Sequence, residues 1–301
     1  MNPAAVAIGG RLETTRQRLR DYLELTKPRL SALVLLTTAT GGWLGARSHH
    51  ELGLLWVALA GTALCAGGAN ALNQWMEREQ DARMQRTQDR PVPAGRLRAE
   101  EAWRVGAGLA VSGLCVLAAV NGLTALLAAV CLGSYLLVYT PLKRATPLCT
   151  LVGAVPGAIP PMMGWTAMRN ALGPEAWVLF GLLFVWQLPH FLALATLYRE
   201  DYARAGFNML PLAEPQGLAT ARHIALYGLV LVPMSLTPTL VRLAGETYFY
   251  GALLLSLGFL AACVRAALRR NASASRQLFL ASVLYLPGLL ALLAVDKWPG
   301  L

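Results

Sequence analysis

Nine stretches of the chain are apolar over membrane length, and polar turns separate them. They lie near 30–46, 52–72, 102–120, 122–140, 148–166, 175–195, 223–241, 246–264 and 277–295. A bilayer core takes an apolar helix of roughly 17–25 residues. Lipid offers no partner to backbone N–H and C=O groups, so such stretches must be helical. The pattern predicts an all-α polytopic bundle of nine transmembrane helices. Most connections are short, but 73–101 and 196–222 are long and polar. Long connections in a compact bundle are more often functional than filler.

The segment 1–29 is polar and arginine-rich and lacks the early apolar run of a signal peptide. Leu19, Tyr22, Leu23 and Leu25, set among charged residues, predict a short interfacial helix there. The chain therefore divides into a cytoplasmic amino-terminal interfacial segment, 1–29, and one transmembrane domain, 30–301.

Composition agrees with this pattern. Hydrophobic residues make up 56% and charged residues 14%, with a mean hydropathy of +0.48. A soluble domain carries about 25% charge, so a water-exposed surface is excluded, and so is disorder. The five cysteines form no CxxC pair and give no disulfide framework.

The net charge of +10 would suggest nucleic acid in a soluble chain. Its placement argues otherwise. Twenty-two of the 26 lysines and arginines fall in the amino-terminal segment and in alternate connections (spans 2–3, 4–5, 6–7 and 8–9). Cytoplasmic loops carry such an excess. The expectation is an integral protein of a bacterial inner membrane, with the amino terminus cytoplasmic and the carboxyl terminus outside. Its surroundings are the lipid bilayer, and nucleic acid is not a partner.

Candidate chemistry gathers on the cytoplasmic side. Asn73, Glu77 and Asp81 follow one another at intervals of four, so on a helix they share one face. One amide and two carboxylates at a helix end suit Mg²⁺, which is commonly held by one or two carboxylates plus substrate phosphates. Arg83, Arg86 and Arg90 follow, and can take diphosphate oxygens. Glu79 points off that face and is expected in solvent. Glu200 and Asp201 open the second long connection, and Lys143 and Arg144 mark a third helix end on the same side. His190 lies inside a span, directly after Pro189. It is either functional or a neutral histidine bonded to a carbonyl that the proline frees. Gly153 and Gly157 form one GxxxG, read as a packing feature.

These residues resemble the intramembrane aromatic prenyltransferases, and more narrowly the heme branch of that superfamily. The likeness runs from LTKPR at 25–29 to the last spans. It includes DxxMxRTxxRP from Asp81 to Pro91, YTPLKRATP at 139–147, GAxPGAxPPxxGW ending at Trp165, WQxPHF at 186–191 and DYxxAGxxMLP from Asp201 to Pro211. The chain departs from the family pattern twice. Glu77 stands where the family usually has Asp, and Cys149 where it usually has Asn.

The resemblance implies that the bundle surrounds a central apolar cavity with its active site on the cytoplasmic side, and that it transfers the farnesyl group of farnesyl diphosphate to a vinyl group of heme B, giving heme O, with Mg²⁺ as cofactor. It implies Asn73, Glu77, Asp81 and Asp201 as metal ligands. Arg83, Arg86, Arg90, Lys143 and Arg144 would bind diphosphate or heme propionates, with Tyr198 and Arg199 beside them. His190 would orient the heme. Heme A synthase or oxidase assembly factors would be protein partners. A sister enzyme acting on a quinone precursor or chlorin, and a non-catalytic transporter or assembly protein, are the alternatives.

Overall fold

A computed structural model describes residues 3–214 and 216–300, with the side chains of 3–14 and 49 outside the described set. It is helical throughout. Among the described residues the one β-type pairing is a single bridge between Ala244 and Lys297.

Helix α1 (Pro3–Thr26) precedes α2 (Pro28–Gly45) and α3 (Leu52–Met76). A short α4 (Arg78–Asp81) follows α3, and a chain of turns leads to α5 (Ala99–Val120) and α6 (Gly122–Gly133). A π-helical turn, Ser134–Tyr139, joins α6 to α7 (Thr140–Ala145). Then come α8 (Cys149–Arg169), α9 (Pro174–Leu197), α10 (Arg199–Ala205) and α11 (Leu210–Ala213). The chain ends in α12 (Leu218–Leu240), α13 (Glu246–Arg269) and α14 (Ala272–Val295).

Seven of these helical stretches are long and apolar enough to cross a membrane: α3, α5, α6 through α7, α9, α12, α13 and α14. The other two expected spans, α2 and α8, are also helices, of 18 and 21 residues. Their sequences are less greasy for a physical reason. α8 is mostly buried and carries three prolines, and α2 is rich in buried Thr and Gly. The two pack backbone to backbone. A Cβ on Gly41 would lie 2.0 Å from the Pro161 carbonyl oxygen, and one on Gly164 would lie 1.9 Å from that of Thr38. Helices that meet this closely in a membrane use small residues, and only lipid-facing surface has to be strongly apolar.

The π-helical turn has a local cause. Pro141 has no N–H to give, so a carbonyl of the turn before it loses its ladder bond. The N–H and the hydroxyl of Thr140 both donate to the Tyr135 carbonyl five residues back, the hydroxyl at 2.9 Å. The wider turn stacks Tyr135 on Tyr139, with centroids 5.7 Å apart.

Polar links draw the helix ends into two sets. At one end Lys27 reaches Asn73, Gln85 reaches Asp201, and the Asn208 N–H reaches the Lys143 carbonyl. At the other, Trp43 donates to the Ala294 carbonyl and Asn121 to that of Thr166. The long connections 73–101 and 196–222 thus share one end. Helix α1 lies against it, with Leu25 buried beside Ala71, Val92 and Leu97, and Arg96 bonds both Asp21 and Glu24 at 2.8 Å.

Candidate active site

The last turn of α3 sets the site. The helix breaks at Glu77, where φ is −100°, yet α4 resumes at once. The spacing of four therefore survives, and Asn73, Glu77 and Asp81 all line one cavity of about 420 Å³. All three are buried. A buried carboxylate without a partner costs several kcal/mol, and each carboxylate here has a cation. Lys143 Nζ lies 2.7 and 2.9 Å from the two oxygens of Glu77. The Asn73 amide donates to Glu77 Oε2 at 2.9 Å. Arg90 donates to Asp81 Oδ2 at 2.7 Å.

Two more cations face the same space. Arg86 lines the cavity with its guanidinium 4.7 Å above the Tyr198 ring, a cation–π contact that fixes its direction. Lys27, at the junction of α1 and α2, donates to Asn73 Oδ1 at 3.2 Å. Burial and then the neighbouring Arg90 push the Lys27 ammonium down to about 7. In the wall, Arg86, Arg90 and Lys143 already outnumber Glu77 and Asp81, and Lys27 adds a further positive charge when protonated. This mouth is short of negative charge, as a polyanion site has to be.

Not every expected residue joins it. Arg83 and Arg144 are exposed, Arg199 is half-buried, and none of the three lines the cavity. Tyr198 serves beneath Arg86 rather than in the wall. Asp201 is buried but turned away: it accepts from the Gln85 N–H at 3.1 Å and pairs with Arg204. The short α10 aims it at the turns after α4, so the structure does not bring it to the other candidate ligands. Glu79 is exposed, as expected.

Lys27 was not among the expected site residues. The available signal was its place directly before the proline that opens a span. That junction holds Lys27 at φ 49°, a left-handed backbone that turns the chain between the two helices. Tyr139 and Tyr202 also escaped sequence reasoning, since a tyrosine near a span end reads as interfacial.

The donor set suits a hard divalent ion only in part. Asn73, Glu77 and Asp81 supply oxygens, but among the described residues no group of three or more His, Cys, Asp or Glu is placed to hold a metal. Such an ion would need further oxygens from a ligand, which is how Mg²⁺ is commonly held.

Away from the mouth the cavity turns apolar, lined by Leu33, Val34, Ala128, Leu132, Met163 and Leu286 among others. Gly153 and Gly157 do pack, but against cavity side chains. A Cβ on Gly157 would lie 1.9 Å from Gln187 Oε1, and one on Gly153 2.5 Å from the Tyr139 ring. His190 stands in the same wall. Its ring bonds the Ser282 hydroxyl and not a carbonyl freed by Pro189. Cys149 packs its thiol 3.7 Å from Met209 Sδ, closing the start of α8 onto the segment before α11.

Comparisons with known proteins bear on the family and the fold. A family model described as the UbiA prenyltransferase family matches residues 34–286. The protoheme IX farnesyltransferase of Solibacter usitatus is 47% identical over 293 residues, covering 94% of this chain and 100% of its own length. Among solved structures, one concerned with digeranylgeranylglyceryl phosphate synthase superposes with a TM-score of 0.79 at 16% identity, over 93% of this chain and 98% of that one. A UbiA homolog from Archaeoglobus fulgidus bound to GPP and Mg²⁺ gives 0.68 at 17% identity, over 91% and 99%. At such identities the structural likeness speaks for the fold alone.

Proposed function

We propose that this chain, which belongs to the UbiA prenyltransferase family, transfers the farnesyl group of farnesyl diphosphate to a vinyl group of heme B, giving heme O and diphosphate. It is an integral membrane protein. The observation that carries the reading is one cavity that joins a cation-rich mouth to an apolar depth. A prenyl diphosphate has this same division between head and tail, and relatives at 42–47% identity bear the name protoheme IX farnesyltransferase.

Lys27, Arg86, Arg90 and Lys143 bind the diphosphate. Asn73, Glu77 and Asp81 hold Mg²⁺ jointly with diphosphate oxygens. When bound, that ion supplies positive charge to the leaving group. The farnesyl tail runs into the apolar depth. The C1–O bond breaks and its electron pair leaves with the diphosphate, whose growing charge the fixed cations stabilise. The terminal vinyl carbon of heme B bonds to C1. The cation left on the adjacent carbon takes the oxygen of one water, which gives up a proton. The apolar walls keep other water from the allylic cation.

Asp201 is not needed as a ligand in this scheme. By accepting from Gln85 N–H it holds the turns that carry Arg86 and Arg90. The cation excess of the connections supports a mouth on the cytoplasmic side, with the amino terminus cytoplasmic and the carboxyl terminus outside. On the same reading α2 and α8 complete nine spans, residues 1–29 lie at the interface, and 30–301 form one catalytic domain. Product then passes to heme A synthase or to oxidase assembly factors.

The test is direct. Purified protein in lipid, given heme B, farnesyl diphosphate and Mg²⁺, yields a heavier and more apolar heme carrying the hydroxyethylfarnesyl chain. A well-folded preparation that makes no such heme, yet prenylates a quinone precursor or a chlorin, overturns the assignment.

A further inference from the structure

His190 is held more tightly than a cavity-lining residue needs to be. Its ring stacks on Trp186, with centroids 5.2 Å apart and planes 24° from parallel. Phe279 of α14 covers it from another side at 5.0 Å. Its Nδ1 lies 2.7 Å from Ser282 Oγ, also on α14. Trp186 secures the same serine by donating to its carbonyl at 3.2 Å.

The hydrogen bonds fix where the protons are. Ser282 Oγ lies 2.6 Å from the Phe279 carbonyl oxygen, which can only accept, so the hydroxyl proton goes there. Ser282 Oγ is then the acceptor toward His190, and Nδ1 carries the ring proton. The other nitrogen, Nε2, keeps its lone pair. Among the described residues no group bonds it, and it is not one of the sealed, unpartnered atoms of the interior. The ring lines the cavity, so this lone pair is available to whatever fills it.

We propose that Ser282 is a positioning residue that holds His190 as the Nδ1–H tautomer, and that Nε2 thereby coordinates the iron of the porphyrin substrate. A histidine that ligates a metal commonly donates its other N–H to an oxygen, which fixes both tautomer and ring plane. Imidazole is also a common axial ligand of heme iron. The inference rests on heme B being the acceptor. It adds a bond to the centre of the macrocycle from a ring held among Trp186, Phe191 and Phe279.

Titration of the purified protein with heme B, followed by absorption and electron paramagnetic resonance, tests this. The wild type is expected to show a histidine-ligated spectrum. His190→Gly should lose that signature and regain it on addition of free imidazole. Ser282→Ala should weaken heme affinity by about tenfold, while Ser282→Thr, which keeps the hydroxyl, should stay near wild type. A heme spectrum indifferent to both His190→Gly and Ser282→Ala overturns the proposal. Farnesyl transfer measured on the same samples separates the two readings. Product formation with an indifferent spectrum leaves the transferase standing and removes the iron ligand. A histidine-ligated spectrum with no product from the wild type supports the ligand and counts against the transfer reaction. Should His190→Gly misfold, the Ser282 pair still decides, because it leaves the histidine in place.

Discussion

The two ends of the bundle use charge in different ways. At the far end, Lys297 spends its ammonium on the carbonyls of Trp43 and Ala46, and Arg169 lies over its own neighbour Trp165 at 5.4 Å. Lys297 finishes a helix end, where the last carbonyls lack partners, while the Arg169 Nε is buried without a hydrogen-bond partner. At the site end, the cations meet buried carboxylates around a cavity: Lys143 on Glu77 and Arg90 on Asp81. Those carboxylates are fewer than the cations facing them. The cations of the far end stand apart from that cavity, whereas those of the site end surround it and are built to be completed by an anion. Charge count alone does not make a site; unfinished neutralisation around a cavity does.

The largest expected break in this contrast is Asp81→Asn. The amide keeps shape and a partner for Arg90, so the protein should insert and fold, but turnover should fall by about 10²–10³-fold, the scale of losing one preorganised electrostatic group. Turnover within a few-fold of wild type would take Asp81 out of the mechanism. A smaller break is Lys27→Met. It removes one cation of the mouth and no carboxylate pair, so KM for farnesyl diphosphate should rise about tenfold, or roughly 1.4 kcal/mol, with kcat little changed. A fall in kcat at constant KM would place Lys27 on the chemical step instead. The smallest effect on activity belongs to Lys297→Met. Farnesyl transfer should stay within about twofold, while stability falls by the worth of a hydrogen bond, about 1 kcal/mol, read as a lower thermal midpoint. Loss of turnover there would erase the contrast between the ends.

Much of this was legible in advance. The nine apolar stretches appear as helices with ends within a few residues of expectation, because lipid imposes a strong constraint on length and composition. The face shared by Asn73, Glu77 and Asp81 followed from a spacing of four. Less legible were residues whose role depends on a neighbour far along the chain. Nothing local separates Arg86 from Arg83, three residues before it, yet Arg86 lines the cavity over Tyr198 and Arg83 does not. Asp201 and Asp81 look alike as acids near helix ends, but the first serves a turn and the second the cavity. The substitution of Glu for Asp at 77 also reads differently in place: the longer side chain meets Lys143 with both oxygens.

The sequence by itself determined that this chain is a helical membrane protein, roughly where its helices run, and that one side carries acids and bases together. Those properties follow from solvent preference and helical periodicity, which act residue by residue. Tertiary structure alone decided which cations share a cavity with which carboxylates, that α2 and α8 meet backbone to backbone, and that a serine 92 positions away fixes the proton on His190. Such facts depend on distances across the bundle, and a hydrogen bond or ion pair loses its meaning within an ångström or two.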